Sequence, residues 1–174
     1  MDGFYLMDTK TFDWKKYLVE CFESTQFLAL SSLGADGIWT CPLFFAFDEK
    51  YNLYFISQPK SRHMGYIANR NNVSLAIYST QQDPAKDVFG IQMRGHAILV
   101  DDADVEDVFK IYYARSPAGA VMQDNLPEKY KGARAEWKFV KIVPTEIYYF
   151  DTRFFGEKRQ VVPMDVYRPR IARV

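Results

Sequence analysis

The sequence predicts a mainly β fold, in which six antiparallel strands form a Greek-key barrel with flanking helices. Apolar and aromatic residues alternate with polar residues in several short runs, and this period of two is typical of half-buried strands. Short turn sequences join consecutive runs, which favours antiparallel pairing. Closely spaced antiparallel strands are stable as a barrel because closure removes the exposed sheet edges.

The first half of the chain is predicted to form one helix and three strands. Apolar residues recur at helical spacing from Asp13 to Glu23, so a helix precedes the barrel. The strands follow at Phe27–Ser31, Ile38–Phe47 and Leu53–Ser57. Glycine, aspartate and asparagine residues between these runs provide the turns.

A short helix and two further strands are predicted next. The helix is Ser61–Asn69, and a strand rich in β-branched and aromatic residues follows at Val73–Tyr78. After a polar segment, Val88–Val100 forms a long strand. Gly95 within it is expected to bend the strand or to allow the close approach of another chain.

The C-terminal third is predicted to contain a helix and the last strand. The helix is Asp104–Tyr113 and starts with acidic residues. The strand is Glu136–Phe150, either continuous or broken at Pro144. The pattern of residues 117–126 does not decide between a second short helix and a loop. Residues 151–174 form a basic tail that is expected to pack on the barrel or on a partner subunit.

Composition limits the classes of function. A length of 174 residues favours a single domain, 1–174, and 22 basic against 22 acidic residues leave no field that would attract nucleic acid or an anionic membrane. Two cysteines make no disulfide framework and fit a reducing cytoplasm. Neither a signal peptide nor an apolar run of about 18 residues is found, so a cytoplasmic protein without a membrane span is expected. Two histidines without a neighbouring carboxylate pattern predict no metal site.

The segment from Ser57 to Arg70 is locally basic. It contains Lys60, Arg62 and Arg70 but no carboxylate. A basic first turn opposes the helix dipole, because the N-terminus of a helix already carries partial positive charge. A bound phosphate would account for the imbalance, since helix N–H groups and flanking cations bind the same anion. The alternative is that Ser61 is only an N-cap and that the cations are solvated.

An ordered set of motifs resembles the FMN-binding split barrels, the pyridoxamine 5′-phosphate oxidase-like flavoproteins. The set covers residues 27–100 and consists of an Asp-Gly turn, Pro-Leu-Phe-Phe, Leu-Tyr-Phe-Ile-Ser, Ser-Arg-His and Gln-Met-Arg-Gly. The last strand with residues 154–158 is similar to an uncharacterised bacterial branch of that superfamily. The resemblance implies a six-stranded antiparallel Greek-key split barrel and a homodimer with FMN at the subunit interface.

The resemblance also implies which residues bind the cofactor. The FMN phosphate would meet Ser61, Arg62 and His63, where His63 replaces a lysine of many relatives. The isoalloxazine would run along the strand residues Pro42, Leu43, Phe44 and Phe45, the ribityl chain would lie by Ile56 and Ser57, and Gln92 would reach the flavin.

The residues themselves leave other interpretations open for part of this set. Phe44 and Phe45 are adjacent and face opposite sides of a strand, so at least one is expected in the core. Gln92 and Arg94 also fit an exposed strand face.

The activity implied by the resemblance is that of an FMN-dependent oxidoreductase acting on a small molecule. Vitamin B6 oxidation is not expected, because the basic, histidine-containing C-terminal motif of the true oxidases is missing from this sequence. Two alternatives stay open. One is a flavin- or haem-binding storage or sensor protein without turnover, and the other is a cofactor-free dimeric interaction module. No catalytic residue is predicted.

Overall fold

The computed structural model describes residues 7–116 and 125–167, and in it the strands form one curled antiparallel sheet. The mainly β fold class with flanking helices is confirmed. The strands are β1 Phe27–Gly34, β2 Gly37–Phe44, β3 Ala46–Phe47, β4 Leu53–Ser57, β5 Asn72–Ile77, β6 Phe89–Leu99, β7 Lys138–Asp151 and β8 Gln160–Val161. Their order in the sheet is β2-β1-β5-β6-β7-β4-β3, with β8 paired to β7.

Phe45 closes the sheet. β2 lies at one edge and β3 at the other, yet only Phe45 separates them along the chain. The sheet must therefore curl until its two edges meet, and the Phe45 N–H donates to the Gln26 carbonyl at 3.2 Å instead of to a strand partner. The prediction of one strand over Ile38–Phe47 is wrong at this residue, because the alternation of side chains continues through the break. The sheet has eight strands instead of the predicted six, because one predicted strand is divided into β2 and β3 and because the two-residue β8 was not predicted.

Five α-helices and one 3₁₀ helix flank the sheet in the described residues. They are α1 Trp14–Glu23, α2 Arg62–Asn69, α3 Val105–Arg115, the 3₁₀ helix Pro127–Tyr130, α4 Thr152–Phe155 and α5 Met164–Tyr167. The second short helix left open within 117–126 lies almost wholly outside the described residues. The described part of the C-terminal tail packs on the barrel, because β8 pairs with Tyr148 and Tyr149 of β7.

A β-bulge lies beside the proline of the last strand. β7 runs unbroken through Pro144, which faces Gly95 of β6 where the register shifts by one residue. A Cβ atom on Gly95 would lie 2.6 Å from the Val143 carbonyl oxygen, so only glycine allows this approach of the two strands. The close approach expected at Gly95 is therefore made by β7 of the same chain.

The buried apolar side chains form two clusters. One fills the barrel under α1, where Leu18, Cys21 and Phe22 are fully buried. The other lies under α3 around Tyr112 and Phe139.

Arg115 joins the two clusters. Its guanidinium donates to the carbonyl oxygens of Phe45 at 3.0 Å, Thr25 at 2.6 Å and Phe22. Because Phe22 lies in the last turn of α1, Arg115 caps that helix from α3. Burial lowers the pKa of Arg115, the Glu23 carboxylate acts in the opposite direction, and the three carbonyl oxygens accept hydrogen bonds from the charged group.

A buried carboxylate fastens the tail to the barrel. Asp151, at the end of β7, is fully buried and accepts from the Tyr149 hydroxyl at 2.6 Å and from Arg153 Nη2 at 2.7 Å. Arg153 also donates to Glu20 of α1 at 2.8 Å. The network therefore links the last long strand, the tail and the first helix.

Candidate functional site

The clearest polar site lies where β4 ends and α2 begins, and three of the predicted residues meet there. Ser57 Oγ lies 2.7 Å from His63 Nε2 and 3.0 Å from Ser61 Oγ, and Ser61 Oγ lies 3.3 Å from His63 Nε2. We call Ser57, Ser61 and His63 the Ser–His cluster. β4 delivers Ser57 to this point because Phe55 and Leu53, on the same side of the strand, are fixed in the barrel core.

Ser61 occupies the N-cap position of α2 without capping it. Its side chain accepts no hydrogen bond from the first turn and faces the other members of the Ser–His cluster instead. The first-turn N–H groups have no partner within the helix. These N–H groups and the two hydroxyls are the donors that a phosphate monoester requires, so the residues present fit the phosphate of FMN.

His63 is mostly buried, with 8% of its surface exposed, and packs beside the Phe55 ring. Burial lowers the pKa of His63 below its usual value of 6.5, because an imidazolium there would lose water without gaining a carboxylate. At neutral pH the free protein therefore holds His63 uncharged. A charged His63 is expected only when an anion lies against it.

Arg62 has a carboxylate partner that the local sequence does not reveal. It pairs with Asp36 of the β1–β2 turn, donates through Nε to the Tyr66 hydroxyl at 2.7 Å, and lies over the Trp39 ring at 4.4 Å. The Tyr66 hydroxyl also bonds Asp36, and this bond together with Arg62 lowers the pKa of the Asp36 carboxyl. The imbalance of charge within Ser57–Arg70 is therefore met at Arg62 by a carboxylate from outside that segment.

Pro42 and Gln92 lie on the outer face of the sheet, away from the Ser–His cluster. They share one row of strand partners, in which Ala29 and Ala76 lie between them. Gln92 is exposed, and its Oε1 accepts from Arg159 Nε of the tail at 3.0 Å. Two strands thus separate these two predicted flavin contacts within one copy of the chain.

The apolar candidates lie in the two clusters. Phe45 is fully buried in the barrel core, and Leu43 packs partly against it. Phe44 and Ile56 pack against the cluster under α3. The expectation that Phe44 and Phe45 face opposite sides, with at least one in the core, is confirmed. One copy of the chain therefore brings together only the phosphate end of the predicted set.

Sequence reasoning missed Asp36, Trp39 and Tyr66 around Arg62. Tyr66 follows Arg62 by four positions, which places both on one face of α2, so this contact had a signal in the sequence. Asp36 and Trp39 had none, because they reach Arg62 only through the packing of the β1–β2 hairpin on α2. Gly34 makes that packing possible, since a Cβ atom there would meet the Tyr66 ring at 2.2 Å.

Other chemistry is limited in the part of the chain that the structure describes. No group of three His, Cys, Asp or Glu side chains there could hold a metal ion. Burial raises the pKa of the Cys21 thiol to about 12, so this thiol is not a nucleophile at neutral pH. None of the described helices is long and apolar enough to cross a membrane.

A family model identifies the class of protein to which this fold and site correspond. The model of the pyridoxamine 5′-phosphate oxidase family matches residues 15–151. The chain therefore belongs to the pyridoxamine 5′-phosphate oxidase family, and the resemblance inferred from the motifs is confirmed. No curated protein matches the chain in sequence.

Solved structures share the fold at low sequence identity. A haem-binding protein from Mycobacterium smegmatis aligns with a TM-score of 0.65 at 12% identity, covering 84% of this chain and 56% of that one. An FMN-binding, pyridoxamine 5′-phosphate oxidase-related protein from Nostoc punctiforme aligns with a TM-score of 0.58 at 14% identity, covering 88% of this chain and 92% of that one. A FAD-binding protein from Mesorhizobium loti aligns with a TM-score of 0.57 at 14% identity, covering 76% of this chain and 93% of that one. The chain spans just over half the length of the mycobacterial protein.

Proposed function

We propose that this chain is an FMN-binding flavoprotein and an FMN-dependent oxidoreductase acting on a small molecule. The observation that carries the proposal is the Ser–His cluster at the uncapped start of α2, which offers hydroxyl, imidazole and N–H donors to one phosphate. Bound FMN would supply hydride and electron transfer. The chain would hold the phosphate through the Ser–His cluster and Arg62. Vitamin B6 is not the proposed substrate.

The visible spectrum of the purified protein tests this proposal. Yellow protein with flavin absorbance, which consumes NAD(P)H steadily in air, is the expected result. Flavin that binds without turnover would favour storage or sensing. Colourless protein that rejects added FMN would overturn the proposal and favour a cofactor-free interaction module.

Haem is the second candidate ligand, because the solved structures that share the fold include a haem-binding protein. His63 and His96 are the only imidazoles of the chain, and the buried Nδ1 of His96 has no hydrogen-bond partner among the described residues. The same spectrum separates the two ligands, since haem shows a strong Soret band and flavin does not.

A homodimer would complete the proposed site. Large apolar side chains are exposed near the ends of β1, β2 and β5, with Phe27 55%, Ile38 74% and Tyr78 54% exposed. Pro42 and Gln92 lie on the same outer face. A second copy docked there would bring its own outer-face residues to the flavin.

The protein would act in the reducing cytoplasm, where the unpaired thiols of Cys21 and Cys41 would stay reduced.

We predict a dimer in solution that buries on the order of 2,000 Å² or more. Burying the exposed apolar side chains of the outer face is the physical reason. Sedimentation of the purified protein at micromolar concentration should give twice the chain mass of 20.3 kDa. Sedimentation as a monomer would exclude a flavin site shared between copies.

We also predict that FMN binding weakens as pH rises. A phosphate dianion against His63 favours the imidazolium, so the pKa of His63 is higher with FMN bound than in the free protein, where burial lowers it. Binding then takes up a proton, and the affinity falls as pH rises through the higher pKa. FMN phosphate itself protonates near pH 6, so the useful range is roughly pH 6.5 to 8.5.

Titrations of three proteins with FMN over this range check the prediction. His63→Gln is neutral at every pH and should flatten the dependence. His96→Gln, the matched control, should keep the slope of the parent. The same slope in the parent and His63→Gln would show that His63 is not a charged phosphate ligand.

A further inference from the structure

An open groove of about 910 Å³ runs along the outer side of α2. One wall is the end of β1 with the turn that follows, residues 33–36. The other wall is one face of the helix, with Lys60 and Ser61 at the near end and Arg70 at the far end. We call this feature the α2 groove. It adjoins the Ser–His cluster at Ser61 and Arg62 but continues away from it.

Gly65 lines the middle of the α2 groove and places no side chain in it. The helix positions that line it are Arg62, Gly65, Tyr66 and Asn69, which recur every three or four residues. A Cβ atom on Gly65 would have no atom within 4 Å apart from its chain neighbours and the surrounding helix backbone. From Ser61 to Arg70 the helix rises by roughly 13 Å, which gives room for a nucleoside phosphate.

The charge of the α2 groove is positive although the chain as a whole is neutral. Lys60, Arg62 and Arg70 line it together with one carboxylate, Asp36. Asp36 pairs with Arg62, whereas Lys60 and Arg70 make no ion pair with any residue that the structure describes. Two cations, one at each end, are therefore left for an anionic ligand.

We propose that the α2 groove binds a nucleoside phosphate, with its phosphate beside Lys60 and Arg62 and next to the phosphate of FMN in the Ser–His cluster. This proposal rests on the proposed function, because the near end of the groove adjoins the site proposed for the FMN phosphate. The group would be the adenylate half of FAD, or that of a nicotinamide dinucleotide that delivers electrons. Either presents phosphate to the cations at the near end and a flat base to Arg70, whose planar guanidinium stacks on rings.

Two substitutions on α2 form a matched pair for the test. Gly65→Leu adds a side chain to the lining of the α2 groove at a position where a Cβ atom has open space, and leucine favours a helix more than glycine does, so the melting temperature should hold or rise. Ala68→Leu adds a side chain at an exposed position of the same helix that does not line the groove.

Calorimetric titration of the parent and both variants with AMP, FMN, FAD and NADH is the experiment. We expect Gly65→Leu to weaken AMP binding by at least about tenfold, because the new side chain occupies the ligand's place, and to change FMN affinity by less than about twofold. Ala68→Leu should bind all four compounds as the parent does.

The results distinguish FAD from a nicotinamide dinucleotide as the ligand, and they test the α2 groove separately from the FMN site. FAD that binds more tightly than FMN in the parent but not in Gly65→Leu would identify the flavin dinucleotide. NADH binding that Gly65→Leu alone weakens would identify the nicotinamide dinucleotide. AMP binding that depends on Gly65 in a protein that rejects FMN would support the groove and overturn the FMN proposal. Equal affinities of the parent and Gly65→Leu for AMP, FAD and NADH, including no binding at all, would overturn the nucleotide proposal.

Discussion

Replacing Arg62 with alanine is expected to weaken FMN binding by about 10- to 150-fold, because one charge-assisted hydrogen bond to the phosphate is lost. Fluorescence titration of the flavin measures this change. Riboflavin, which lacks the phosphate, should bind equally to the parent and to Arg62→Ala. Folding should change little, since the Arg62 side chain is 45% exposed and its pair with Asp36 lies at the surface.

Two further variants make the Arg62 result specific. Lys86→Ala removes an exposed cation before β6, at the end of β7 opposite to the one that pairs with Ser57, and should bind FMN as the parent does. Asp36→Asn removes the carboxylate that competes with the phosphate for Arg62 and should strengthen FMN binding. Equal FMN affinity in Arg62→Ala and the parent would contradict the assignment of Arg62 to the phosphate.

Replacing Asp151 with alanine is expected to destabilise the fold by about 3 kcal/mol, which is near the lower end for breaking a buried ion pair because Arg153 is partly exposed. The substitution leaves Arg153 without its closest counter-charge and the Tyr149 hydroxyl without an acceptor. For a chain of this length the melting temperature should fall by about 6 to 12 °C. Calorimetry or circular dichroism during heating measures it.

Asp101→Ala is the matched control for the Asp151 experiment. Asp101 is exposed, so its loss should cost less than about 0.5 kcal/mol. If the two variants melt at the same temperature, the Asp151–Arg153–Tyr149 network does not hold the tail to the barrel.

Periodicity predicted the elements of the fold because each depends on local alternation. The helix at Ser61–Asn69 and the strands at Val73–Tyr78, Val88–Val100 and Glu136–Phe150 occur within two residues of their predicted ends. The break at Phe45 could not be predicted, since its cause is the meeting of two sheet edges. Arg115 is a similar case, because its carbonyl partners come from α1 and the β2–β3 junction, far away in sequence.

The candidate site divides in the same way. Ser57, Ser61 and His63 are close in sequence, so a strand followed by a short loop and a helix was enough to bring them together. The partner of Arg62 lies 26 residues earlier and enters through the hairpin turn. Pro42 and Gln92 are distant from the cluster within one copy, and any role in binding flavin stays a prediction that depends on a second copy.

The position of β7 in the sheet determines when the barrel can close during protein synthesis. β7 pairs with β6 along one side and with β4 along the other, so it alone connects the β3–β4 hairpin to β6. A ribosome adds about 5–20 residues per second from the N-terminus. Until residue 151 has emerged, β4 and β6 expose unpaired edges on the nascent chain. Ribosome-bound chains that end before β7 should therefore be the ones that chaperones bind and proteases cleave.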